Sequence, residues 1–246
     1  MKTTKAATVR AGFTLTELLV TLGVIAVLLA ILFPALRSIR EASRATVCLA
    51  NLRSLGVAIG AYHTDTELLP DVILVVDDGL GGGGSALPPL PLRPSLADAL
   101  TGYVDAPLPA REVPGDITSP WQAHAPWACP SDDGYVLPST QAENPFDTAW
   151  AWDGSSYQMG PSTILYLRLA TAVPNASRPA MQRVITRGLE RRDWPMVIDA
   201  DRWHGDGSRW NTLFFPDGRA EPAGPIPEGA LDAFVAEFLP FLEEAL

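Results

Sequence analysis

Two cysteines, Cys48 and Cys129, and a late histidine, His204, carry the most versatile chemistry in this chain. A thiolate beside an imidazole and an acid would make a nucleophile. Here Pro130 follows Cys129 directly and no nucleophile-helix signal surrounds it, so no catalytic residue is assigned and the chain is not expected to be an enzyme. Asp199, Asp201, His204 and Asp206 suggest a cation. Their spacing does not fit the twelve-residue calcium loop, because Trp203 and His204 fall where a ligand and a glycine belong. The plainer reading is a polar, solvated loop, with no metal ligand assigned. His63 and His124 are isolated and receive no role. Gly81–Gly84 are consecutive glycines, but no Gly-Lys-Ser/Thr follows them, so they make no phosphate loop. The two cysteines allow one bridge, Cys48–Cys129, if they lie outside the cytoplasm. Two buried free thiols are the alternative.

Glu17 is a carboxylate at the edge of a long apolar run. Residues 18–36 (LLVTLGVIAVLLAILFPAL) contain no charged side chain. As a helix they span roughly 28 Å, close to the hydrocarbon thickness of a bilayer. Apolar residues occupy every side, as expected of a membrane span and not of an amphipathic stripe. A buried core helix is the alternative, disfavoured by the length of the run and the basic, acid-free segment before it. A charge placed there costs free energy and needs a partner. Lys2, Lys5 and Arg10 precede the span with no acid among residues 1–12. The positive-inside rule therefore puts the N-terminus in the cytoplasm and the remainder across the inner membrane, in the periplasm or outside the cell. An ordinary cleaved signal is disfavoured, because the apolar run continues into a polar helical segment without a small-residue cleavage site.

The sequence Gly12-Phe13-Thr14-Leu15-Thr16-Glu17-Leu18-Leu19-Val20 resembles the processing site of type IV prepilins and type II secretion pseudopilins. The resemblance implies that a prepilin peptidase removes residues 1–12 by cutting after Gly12 and that the new N-terminal Phe13 is methylated. It makes Glu17 the acid that serves assembly, and puts Pro34 where such helices carry a kink. Cys48, Asn51-Leu52, Leu55-Gly56, Tyr62-His63, Leu69-Pro70, Cys129-Pro130-Ser131-Asp132, His204 and Asp217-Gly218 are further similar to a pseudopilin-like family. The spacing from His204 to Asp217 is longer here than that family's. The implied function is a pseudopilus subunit of a type II secretion-like system. Its partners would be other pilin or pseudopilin subunits, the inner-membrane assembly machinery and membrane lipid. A type IV pilin for adhesion, motility or DNA uptake is the alternative within the class. A membrane-tethered binding or hydrolytic protein is the alternative outside it. No cofactor is implied, although calcium in the head stays open, because some major pseudopilins bind it.

The elements that position these residues follow from pattern. Residues 13–36 form the transmembrane helix, and residues 37–70 continue it amphipathically, with Leu52, Leu55 and Ile59 at helical spacing. A helix from Thr14 to Tyr62 would be about 73 Å long. Residues 71–246 form the head, with a Gly/Pro-rich loop at 77–94. Ser95 caps a short helix over Leu96–Tyr103, and residues 104–130 read as ordered coil. Thr163–Ala170, Trp194–Ala200, Asn211–Phe215 and a segment near 71–76 read as strands of a small antiparallel sheet. Asp217-Gly218 reads as the turn after a strand. Residues 229–246 read as a helix kinked or ended by Pro240. The fold class is α+β, a pilin-like lollipop: a long helix with a mainly antiparallel β head. A net charge of −10 argues against a nucleic-acid-binding surface, which needs clustered cations. An apolar fraction of 47% with seven Trp permits a real core.

Overall fold

The computed structural model describes residues 14–70, 96–114, 116, 119–134, 148, 151, 154–159, 165–166, 169, 171–173, 175–191, 194–200, 203–204, 210–223 and 229–243. The leader at 1–12, Phe13, the loop at 77–94, Ser95 and the strand expected near 71–76 lie outside them. The chain divides between Ala42 and Ser43 into two compact units. It is α+β: a long N-terminal apolar helix followed by antiparallel sheets.

Helix α1 runs over Leu15–Thr66 and passes through Pro34. In the first unit its large apolar side chains are exposed, from Leu15 to Ile39. In the second unit its buried residues are Cys48, Asn51, Leu52, Leu55, Ala58 and Ile59. They recur at steps of three and four, which is one face of a helix. The helix outruns the expected end at Tyr62 by one turn. Glu67, at φ 57°, closes it in the left-handed region.

The second unit wraps that face. Helix α2 (Leu96–Ala99) is shorter than the expected segment to Tyr103 and passes into a turn. A small hairpin pairs β1 (Ala110–Arg111) with β2 (Trp121–Gln122), inside the stretch read as coil. The main sheet has order β3-β4-β5-β6, antiparallel throughout, from β3 (Tyr157–Gln158), β4 (Trp194–Asp199), β5 (Trp210–Phe215) and β6 (Ala220–Ala223). Asp217-Gly218 turns β5 into β6, with Gly218 at φ 70°, a value a side chain would resist.

Two helices complete the head. Helix α3 (Arg178–Glu190) has Ser177 as its N-cap, whose side chain accepts from the Ala180 N–H. Its apolar residues Met181, Val184, Ile185 and Leu189 are buried. Helix α4 (Ala230–Glu243) continues past Pro240 and does not end there. It packs on α3, and Phe234 meets Trp194 of β4 with ring centroids 5.0 Å apart.

The strand expected over Thr163–Ala170 is overturned. Leu165, Tyr166, Leu169 and Thr171–Ala172 are helical. Leu165, Leu169 and Val173 are buried, a four-residue recurrence that seats one helical face in the core. The β-forming composition of TILYLRLA hid that period.

Candidate functional site

At the N-terminus, Thr14 and Glu17 build a capping box. The Glu17 Oε2 accepts from the Thr14 backbone N–H at 2.9 Å and from its hydroxyl at 2.7 Å. The Thr14 Oγ1 in turn accepts from the Glu17 N–H at 3.2 Å. Spacing alone carried this signal, a Thr three residues before a Glu at a helix start, and the sequence reading missed it. Glu17 therefore has an intrahelical partner. Gly12 and Phe13 lie outside the described residues. Downstream, an 18-residue window of α1 has a mean hydropathy of 2.8 and none of it is buried. By length and composition this helix can cross a membrane.

In the head, the cysteines meet. Cys48 and Cys129 form a disulfide with their Cα atoms 5.1 Å apart, joining α1 to the Cys-Pro-Ser-Asp loop across 81 positions. That loop is held by a buried polar frame. The Ser156 hydroxyl accepts from the Cys129 N–H at 2.9 Å and donates to the Asp132 carboxylate at 2.6 Å. The Asp132 Oδ1 accepts from the Gly134 N–H, closing the loop on itself. From α1, the Asn51 side chain donates to the Ala128 carbonyl at 2.9 Å and to the Tyr157 hydroxyl at 3.2 Å. Tyr157 donates to the Cys48 carbonyl. Burial pushes the Tyr157 phenol up, so it stays a donor.

His204 sits against this bridge. Its Nε2 is 3.6 Å from the Cys129 Sγ and 3.4 Å from the Asp199 Oδ2. The structure thus brings together the cysteine, histidine and acid that the sequence left apart, but the sulfur is bonded to Cys48. Sulfur and carboxylate also face the same ring nitrogen, whereas a nucleophile relay needs them on opposite nitrogens. Asp199 and His204 are buried, which corrects the expectation of a solvated loop. The cause is strand geometry: Asp199 ends β4 with its side chain inward, where its Oδ2 accepts from the Asn211 N–H at 2.7 Å. Burial pushes the Asp199 carboxyl up, against the pull of His204 and that N–H. Asp201 and Asp206 lie outside the described residues.

Asp217 has a separate life. It is exposed at the β5–β6 turn, and the Arg219 N–H and guanidinium hold its carboxyl below the usual range. His63, given no role above, bonds Glu190 of α3 at 2.9 Å and borders an open cleft of about 550 Å³ with Arg183 and Arg187.

Residues 8–33 match the family described as the prokaryotic N-terminal methylation motif. No curated protein and no solved structure matches the chain. In its N-terminal segment the chain carries a prepilin-type methylation motif and is in this respect similar to type IV prepilins and pseudopilins.

Proposed function

We propose that the chain is a structural subunit of a type II secretion-like pseudopilus. In this reading a peptidase cuts after Gly12, Phe13 is methylated, α1 holds the processed protein in the inner membrane, and the head faces outward. Assembly then moves α1 from lipid into a bundle of like helices. The observation that carries this reading is the unburied apolar length of α1 within and just beyond the matched motif. Such a surface needs lipid or other apolar helices around it.

The capping box sharpens the part played by Glu17. Cleavage leaves an α-amine on Phe13, with an ordinary pKa of about 8 and hence cationic near neutral pH. Both Thr14 bonds fall on Oε2. Neither of these bonds uses Oε1, whose lone pairs suit a second donor, and the Phe13 amine of a neighbouring subunit fits that need. The pairing would offset the cost of both charges and select one axial register.

Two measurements test the proposal. Mass and N-terminal sequencing of the native protein should return methylated Phe13 as the first residue; a mature chain starting at Met1 refutes it. Glu17→Val, expressed with its assembly system, should be processed and remain in the membrane fraction while dropping out of sheared filaments. Loss of protein release without loss of surface motility on gene deletion distinguishes a pseudopilus from a pilus.

A further inference from the structure

We infer that Cys48, Cys129 and His204 form a zinc site whenever the two sulfurs are thiols, so that the join between α1 and the head has two alternative closures. The two Sγ atoms and a ring nitrogen of His204 lie within 4.8 Å of one another, and all three residues are buried. Two thiolates and one imidazole are a ligand set that selects Zn²⁺ over the hard cations.

The distances fit as well as the residue types. With Zn–S near 2.3 Å and Zn–N near 2.05 Å, a tetrahedral site separates sulfur from nitrogen by about 3.5 Å. The Cys129 Sγ is 3.6 Å from the His204 Nε2. The Asp199 Oδ2, 3.4 Å from the same nitrogen, flanks the fourth position of a Cys₂His set. Its Oδ1 is buried with no hydrogen-bond partner among the described residues, so it has coordinating capacity to spare. The frame around the loop is already rigid through Ser156, Asp132 and Asn51. The two sulfurs must part to about 3.8 Å. The Cys48 Sγ, already within 4.8 Å of the imidazole, then settles at about 3.5 Å from it, an adjustment on the scale of cysteine side-chain rotation.

The reduced state needs no special reductant. Cytosolic thiols are kept reduced, so a newly made chain enters export with both cysteines as thiols, and the site is complete once the head folds and until the thiols are oxidised. Binding then converts two thiols, a neutral imidazole and Zn²⁺ into the complex and releases two protons. Later oxidation by a protein disulfide closes the Cys48–Cys129 bond. Two electrons pass to the incoming disulfide, which leaves as two thiols after taking up two protons, and Zn²⁺ is released. The timing rests on the proposed export of the head, whereas the binding itself does not.

The test uses the full chain in detergent, reduced under argon with a phosphine, which leaves as its oxide and is removed. Co²⁺ serves as the coloured probe for Zn²⁺. Thiolate-to-cobalt charge-transfer and tetrahedral bands should grow to one Co²⁺ per chain and bleach when Zn²⁺ is added. The oxidised chain and Cys129→Ser should show neither band. His204→Ala should weaken binding roughly tenfold or more. Should the reduced chain unfold without metal, Zn²⁺ must restore its far-UV dichroism where Mg²⁺ does not. A folded reduced chain without the charge-transfer band refutes the site. So do equal bands in Cys129→Ser, unchanged affinity in His204→Ala, or no rescue by Zn²⁺. The N-terminal mass reads the filament proposal separately, so neither result stands in for the other.

Discussion

Gly56 and Gly60 lie one turn apart on α1, and the structure gives them opposite roles. A methyl added at Gly60 meets nothing within 4 Å. A methyl added at Gly56 comes within 2.7 Å of the Leu213 Cδ1, inside normal contact. Leu213 is fully buried in β5, so its side chain has little room to give way. Both substitutions to alanine gain helix propensity, about 1 kcal/mol each. At Gly56 the overpacking cost is about 1–3 kcal/mol and outweighs the gain. Gly60→Ala should therefore stabilise the head by up to about 1 kcal/mol and Gly56→Ala should destabilise it by about 1 kcal/mol. For a domain of this size the gap corresponds to roughly 4–8 °C in melting temperature. Thermal unfolding of the two variants in detergent, followed by tryptophan fluorescence, reads the gap. Equal stabilisation by both would refute the reasoning, because it would mean that β5 does not sit against Gly56 closely enough to exclude a methyl group.

Replacing both cysteines by serine should lower unfolding stability by up to about 4.5 kcal/mol, from the chain-entropy cost of an 81-position loop, measured by urea titration against the oxidised wild type. Asn51→Leu should cost about 1–3 kcal/mol, because the Ala128 carbonyl and the Tyr157 hydroxyl lose a buried partner, and the same titration reads it. Asp199 holds its proton more tightly folded than unfolded, because burial raises its carboxyl above the ordinary 3.8. As pH falls from neutral toward that value, this residue favours the fold more. Wild type should thus gain on Asp199→Asn as the pH is lowered from neutral toward the carboxylate range, seen in the urea midpoints.

What was legible in the sequence was local. The apolar run of α1, the Leu52-Leu55-Ile59 spacing, β4, β5 and the Asp217-Gly218 turn announce themselves within a few residues. Helix α3, absent from the expected elements, has equally local signals in Ser177 ahead of Pro179 and in the spacing of Met181, Val184, Ile185 and Leu189. Other features depended on distant partners. The segment around Leu165 and Leu169 reads as strand by composition, and only a core on one side of it makes it a helix. Asp199 and His204 read as solvated polar residues because their burial depends on Asn211 and on Cys129, the latter seventy-five positions from His204. Charge alone gave no sign that the acid would face inward.

The bridge at Cys48 also has a mechanical meaning. Cys48 is the first fully buried residue of α1, and the helix residues before it are exposed or half-buried. Traction on α1 from its N-terminal end, as in drawing a helix out of lipid, meets a covalent bond before it reaches the fully buried face of the helix. Asn51, Leu52, Leu55 and Ile59 follow it along the axis and are shielded behind that bond. Non-covalent packing peels one contact at a time when pulled from its edge. Here the edge is pinned, so the contacts behind it must yield together, and the helix can be hauled without being stripped from the head it carries.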